Sequence, residues 1–277
     1  MVTSEKPSLD PVVFLGGAFQ DMYAWQRQER ALLPHASVIT LDLPGWGRAD
    51  TLPDRYGVDF LAQAVERALQ HLGAARVNVV GCSYGSLIAH RLGQRRSQAI
   101  VRMALGGAAC ALTRADRLDL QETTAALTRG DIQHFARVAT DRLTCSDEGC
   151  RVQRLRAVRR VLTHQLSKAT TDTREKIIHN TRRLWTTEVI HTDAASDVPT
   201  MVFTGEHDTF TPPAQGHRLA SAYPNGTFVT IDEADHLVHL ERDREYCQLL
   251  LAHFRGADTS NLPFCKHFTA PAVPPRG

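Results

Sequence analysis

The pentapeptide Gly81-Cys82-Ser83-Tyr84-Gly85 sets a serine between two glycines, directly after the apolar run "RVNVVG" (76–81) and at the head of the helical pattern "SYGSLIAHRLGQRR". A polar residue at the end of a buried strand fits a sharp strand-to-helix turn, where side chains on flanking residues would collide. Such a turn lifts the hydroxyl to the edge of a sheet and brings the first N–H groups of the helix beside it. A serine hydroxyl is a weak nucleophile until a base takes its proton, and the base needs a carboxylate to orient it. In a strand–helix architecture both should follow later, on loops after strands, in the order Ser, Asp, His. Asp208 in "VFTGEHDTFTPP" and His236 in "DEADHLVHLERD" stand in those places. Singly, each could be a turn aspartate or a surface histidine; all three in order point to nucleophilic acyl chemistry.

The elements that must position these residues follow from hydrophobic patterning. Six short apolar runs, at 11–17, 37–45, 76–81, 100–107, 199–205 and 227–232, are bounded by glycine or proline and read as strands buried on both faces. "VDFLAQAVERALQHLG" (58–73) has the spacing of an amphipathic helix that ends at a C-cap glycine. Strands alternating with helices predict the α/β class, a mostly parallel sheet with helices on both faces. The alternation stops between Ala109 and Val198, where patterns such as "RADRLDLQETTAALTRG" and "DIQHFARVATDRL" are helical and no strand is convincing. The expected organisation is a core of residues 11–108 plus 199–256, a helical cap or lid of residues 109–198, and an extended or partly disordered, proline-rich tail of residues 257–277.

Bulk properties narrow the function classes. The net charge of +2 supports neither nucleic-acid nor membrane binding, and no apolar run reaches membrane-spanning length. The polar start "MVTSEKPSLDP" lacks the apolar core of a secretory signal, so a cytoplasmic location is the expectation. Six cysteines without CxxC spacing, and thirteen histidines without an HExxH pair, predict no metal site. "CSDEGC" (145–150) could close a small loop, but a reducing cytosol predicts free thiols. "LGGAFQ" after the first strand lacks the GxGxxG spacing of a nucleotide site.

With these motifs in place, the chain resembles the α/β-hydrolase fold superfamily, in its serine-nucleophile branch of esterases, thioesterases and acyltransferases. "VVFLGGAFQDMYAW" resembles the family's oxyanion-loop segment with its following tryptophan, here Trp25. "DLPGWGRAD" resembles its next strand and turn, and "VVGCSYGS", "TGEHDTFTPP" and "ADHLVHLE" its nucleophile, acid and base segments, over about residues 11–255. The resemblance implies Ser83 as nucleophile, His236 as base, Asp208 as orienting acid, the backbone N–H groups of Ala18 and Tyr84 as oxyanion donors, and no cofactor. Two departures stand out. The family's first strand pair is missing, which predicts about six strands, all parallel. Gly16 also stands where the family usually has a histidine that supports the oxyanion loop.

Other residues carry competing readings. Cys82 adjoins the serine but should point into the fold as a structural thiol. His207 and His239 are alternatives to His236, with His239 a candidate for a supporting role. Phe19, Trp46 and Trp185 are candidate acyl-pocket residues, against core or lid packing. From Arg151 to Arg183 ten basic residues face two acidic ones, a local charge of +8. A solvated helix face explains that run; so does docking of an acyl carrier protein or coenzyme A thioester, with Arg156 and Arg159 as candidate contacts. The substrate expected is a small acyl ester or thioester, with water or another nucleophile completing hydrolysis or transfer. Two other readings remain open: a lyase using the His–Asp pair as base, and a non-catalytic small-molecule receptor.

Overall fold

The computed structural model describes residues 1–145, 147, 149–186 and 195–266. β1 (Val12–Leu15), β3 (Val77–Cys82) and β5 (Thr200–Gly205) are buried along their whole length, and β4 (Ile100–Gly106) along most of it. That is what their unbroken apolar runs require of strands covered on both faces. With β2 (Val38–Thr40), β6 (Gly226–Ile231) and β7 (Cys265–Lys266) they form one sheet in the order β2-β1-β3-β4-β5-β6-β7. Each pair from β2 to β6 is parallel.

Helices cover both faces. α2 (Val58–His71) buries Leu61, Ala62, Val65 and Leu69, one stripe of its surface, and packs with α3 (Tyr84–Arg96). α8 (Pro213–Ala220) lies against β5 and β6. α1 (Gln26–Leu32) and α10 (Asp243–Phe254) pack together over the other face, where Trp25 stacks on Phe14 with ring centroids 4.8 Å apart. A short helix α9 (Val238–Glu241) precedes α10. Between β4 and β5 run α4 (Arg114–Thr128), α5 (Ile132–Leu143), α6 (Leu155–Ser167) and α7 (Thr171–Thr186). Their apolar faces, through Leu127, Phe135, Leu162 and Ile177, join the core cluster that holds Val13, Leu15 and Ile88.

Three expectations need correction. The sheet has a seventh strand: Cys265–Lys266 pairs antiparallel with β6, and Val2 bridges Val38 antiparallel at the opposite edge. The first part of the tail is therefore built into the core, with Phe264 and Thr259 buried; residues 267–277 lie outside the described residues. Cys145 and Cys150 form a disulfide rather than two free thiols, because five residues of chain return their Cα atoms to 6.6 Å, within bridging range. The run 37–45 is a strand only over Val38–Thr40, since at the sheet margin its remainder turns through Gly45 (φ +83°).

α7 is pinned to the core by Arg183, which is 1% exposed. Its guanidinium donates to the carbonyls of Tyr56 (2.5 Å), Leu52 (3.1 Å) and Pro53 (3.0 Å), to Tyr84 Oη (2.9 Å) and to Asn180 Oδ1. Asn180 Nδ2 in turn donates to the Gly45 carbonyl at 2.7 Å.

The chain order places the site. After β1 the connection runs to one side of the sheet and, after β2, to the other, so the C-terminal ends of β1 and β3 flank the switch point where a crevice opens. α3 can leave β3 there only because Gly85 has no side chain: a Cβ would sit 2.1 Å from the Leu15 carbonyl oxygen and 2.6 Å from that of Gly16. Both obstacles are backbone, so β1 itself would have to move. Gly85→Ala is therefore expected to destabilise the protein by roughly 3 kcal/mol, at the upper end of overpacking costs. Urea unfolding checks this through the transition midpoint, and an unchanged midpoint would contradict the packing argument.

Candidate active site

Ser83 sits between β3 and α3 with φ +48° and ψ −113°, a left-handed conformation disfavoured for a side-chain-bearing residue. Its N–H donates to the Gly106 carbonyl (2.8 Å), which continues the β3–β4 ladder up to the turn. A Cβ on Gly81 would meet the Gly85 carbonyl oxygen at 2.7 Å and Ser86 Cα at 2.9 Å, so both glycines of the pentapeptide are sterically required.

The turn aims the Ser83 hydroxyl at His236, on the loop after β6, with Oγ 3.0 Å from Nε2. His236 Nδ1–H donates to Asp208 Oδ2 at 2.9 Å, with Thr211 Oγ1 at 3.2 Å from the same nitrogen. Asp208 is 2% exposed, on the loop after β5. Its Oδ2 also accepts from the hydroxyls of Thr204 (2.5 Å) and Thr211 (2.6 Å), and its Oδ1 from the N–H groups of Phe210 (3.0 Å) and Thr211 (2.7 Å). The three residues thus form one connected line. Gly107 (φ +58°) stands behind the imidazole, where a Cβ would come within 2.8 Å of His236 Cε1.

Electrostatics follow from this geometry. Burial pushes the Asp208 carboxyl upward, but His236 and the threonine hydroxyls outweigh it and bring it below the ordinary carboxylate value. Burial pulls His236 down, but the charge and hydrogen bond of Asp208, helped by Asp235, leave it raised above its ordinary value. Asp235 accepts from the His236 N–H (2.7 Å) and from the Cys145 N–H, and burial beside Asp208 raises it to about 6. Glu241 accepts the Asp235 N–H (2.6 Å) and is raised by burial to about 8, which keeps it in its acid form at neutral pH.

A cavity of about 30 Å³ lies against Ser83, lined in part by Gly17, Ala18, Gln20, Gly107, His236 and Tyr246. The Ala18 N–H has no acceptor among the described residues, and Tyr84 is the first residue of α3, whose N–H has no partner inside the helix. Cys82 also lines the cavity, but its thiol is buried, hydrogen-bonded at 3.2 Å to Tyr246 Oη and pushed by burial up to about 12, so it stays protonated. His207 pairs with Glu206 (3.1 Å) and does not face Ser83. Phe19 and Trp46 do not line the cavity: their rings stack edge to face 5.9 Å apart, and those of Phe19 and Phe135 6.0 Å apart. Trp185 lies on α7, also outside the cavity, and its carbonyl accepts from Arg117.

The basic run is divided. Arg183 and Lys176 are buried, Arg154 pairs with Asp243 (2.9 Å), and Arg159 pairs with Asp141 and donates to Thr144 Oγ1 (2.6 Å). Arg156 stays exposed, in line with Arg160, His164 and Lys168 at four-residue spacing along and just beyond α6. Thr204, Thr211, Asp235 and Gln20 escaped the sequence reading. The two threonines, four before and three after Asp208 in "TGEHDTFT", were the one signal available.

If the line from Ser83 to Asp208 works as a hydrolytic triad, only the neutral imidazole can accept the serine proton, and activity should be lost as pH falls through the raised value of His236. In kcat/KM of the free protein for an ester, the acid limb is expected above pH 6.5. Asp208→Asn should move that limb to lower pH and lower kcat by roughly 10⁴-fold. A limb unmoved by the substitution would show that Asp208 does not set the basicity of His236.

Residues 10–243 match the family described as the alpha/beta hydrolase fold. The chain is 26% identical over 258 residues to the (E)-2-((N-methylformamido)methylene)succinate hydrolase of Acinetobacter baylyi, covering 88% of this chain and 89% of that protein. Among solved structures it is similar to an alpha/beta hydrolase enzyme from a Medee basin deep-sea metagenome library, with TM-score 0.80, 18% identity and 92% of each chain covered. It is also similar to the enol-lactonase of Burkholderia xenovorans, with TM-score 0.78 and 21% identity over 92% of this chain and 94% of that one. A strained serine turn at the switch point of a parallel sheet, and a family match over most of the sequence, lead to one assignment: the chain belongs to the alpha/beta hydrolase fold family.

Proposed function

We propose that the protein is a serine hydrolase that cleaves a small ester or thioester through an acyl-enzyme on Ser83. The observation that carries this reading is the unbroken line from Ser83 Oγ to His236 (3.0 Å) and from His236 to Asp208 (2.9 Å). Ser83 attacks the carbonyl carbon as its proton passes to His236 Nε2, and Asp208 stabilises the imidazolium. The carbonyl oxygen becomes an oxyanion between the N–H groups of Ala18 and Tyr84. Collapse breaks the bond to the alcohol or thiol, which leaves with the proton from His236. Water, deprotonated by the same histidine, then releases the acid.

Size and polarity of the cavity support a short, uncharged acyl group. About 30 Å³ accommodates roughly two water-sized positions, and among the described residues no aspartate, glutamate, lysine or arginine lines it. An enol-lactone is a cyclic ester, so the similarity to an enol-lactonase agrees with ester chemistry. A base-only lyase would not need the serine hydroxyl in line, and a receptor would not need it polarised.

Ser83→Ala is expected to lower ester turnover by about 10⁴-fold or more, and intact mass should show one fluorophosphonate adduct on the wild type and none on the variant. Among p-nitrophenyl esters, acetate and propionate should exceed hexanoate at least tenfold in kcat/KM. Full turnover by Ser83→Ala would replace this reading with base-only chemistry. For a carrier-bound thioester, we propose the exposed ridge of Arg156 and Arg160 as the contact, in place of Arg159, which is engaged with Asp141. Arg156→Glu with Arg160→Glu should weaken turnover of an acidic carrier's thioester and spare p-nitrophenyl acetate; equal effects on both would reject the ridge.

A further inference from the structure

The loop that presents Ala18 has no side chain of its own to fix it at Gly16 or Gly17, yet an oxyanion donor must point in one direction before the reaction starts. Gln20 supplies the constraint. Its Oε1 accepts the Gly17 N–H at 2.5 Å, and the Gln20 N–H donates back to the Gly17 carbonyl at 3.3 Å. The loop closes in this way because Phe19 takes a left-handed φ of +67°, held by its ring contacts with Trp46 and Phe135. With Oε1 committed to an N–H, the other end of the amide is the donor, and Gln20 Nε2 meets His239 Nε2 at 2.7 Å.

His239 must therefore offer a lone pair at Nε2. It is 5% exposed, with its ring centroid 5.0 Å from that of Trp25 and 6.2 Å from that of Tyr246, and its carbonyl accepts from Gln28 Nε2 at 2.9 Å. Burial, with His236 nearby, holds its basicity down to about 3, so the ring stays neutral wherever the site works.

We propose that Gln20 and His239 are positioning residues: His239 orients the Gln20 amide, Gln20 ties up the Gly17 N–H, and the loop is thereby held with the Ala18 N–H free to meet the oxyanion opposite the Tyr84 N–H. This rests on the acyl-enzyme reading of Ser83. In chemical terms it assigns His239 as a permanent acceptor, distinct from the proton-carrying His236 three residues before it.

The test uses the full chain with Gln20→Ala, His239→Phe, which keeps an aromatic ring against Trp25 but removes the acceptor, and His239→Gln, which restores one. Gln20→Ala and His239→Phe should lower kcat for p-nitrophenyl acetate by about tenfold to a hundredfold, with KM within about twofold. They should weaken an alkyl trifluoromethyl ketone, whose hemiketal carries the oxyanion, by a similar factor. His239→Gln should recover most of both, and amide hydrogen exchange at Gly17 should quicken in the first two variants only. Kinetics within twofold of wild type in Gln20→Ala and His239→Phe, or no recovery in a folded His239→Gln, would overturn the proposal. If the wild type cleaves no ester, the reading of Ser83 fails, and Gly17 exchange alone decides whether the pair holds the loop.

Discussion

A carboxylate taken wholly out of water must be met by donors, or the fold cannot keep it charged. Asp208 is met by five: the Thr204 hydroxyl at the end of β5, three from its own loop (the Thr211 hydroxyl and the N–H groups of Phe210 and Thr211), and His236. The turn after β5 is thus an anion cage with one opening, and His236 fills it. The direction of the imidazole follows from that vacancy. Its far nitrogen then points at whatever stands at the end of β3, and the sheet order brings Ser83 there. Three strand ends are coordinated through a single buried charge.

Strain is concentrated in the same place. Among the described residues four non-glycines have left-handed φ, and three of them, Phe19, Ser83 and Glu233, lie on the loops that carry the site. Each costs on the order of 1–3 kcal/mol and persists only where its surroundings leave no alternative. For Ser83 the constraint is the contact of α3 against β1 through Gly85; for Phe19 it is the aromatic contacts with Trp46 and Phe135. Ser83 thus lines the space where a carbonyl oxygen would sit, and Phe19 directly follows Ala18, which lines it from the other loop.

Much of this was legible in the residues. Buried strands reveal themselves by unbroken apolar runs, and Ser83, Asp208 and His236 each follow one, so the α/β class and the three-residue line could be read before any coordinates. Side-chain destinations were less accessible. Phe19, Trp46 and Trp185 have the composition of an acyl pocket, but whether an aromatic faces a cavity or a neighbouring ring depends on packing between distant segments. The ten basic residues of 151–183 looked like one surface because helical phase was unknown: Arg183 and Lys176 turn inward while Arg156 turns outward. The tail strand and the Val2 bridge were invisible for a related reason, since strands of two residues or fewer carry no periodicity. Gln20 was hidden because an amide that bonds its own loop leaves no pattern in sequence spacing.

Arg183 has a consequence for how α7 is fastened to the core. Among the described residues its guanidinium is answered by carbonyls, an amide oxygen and a phenol, with no carboxylate in ion-pair range. Mobile ions have no opposing charge to screen at such a joint, so its strength should change little between dilute and concentrated sodium chloride. The joint is instead a lock shaped for one planar cation. Free guanidinium is a solute that can occupy the same oxygens, and it should loosen α7 well before it unfolds the sheet.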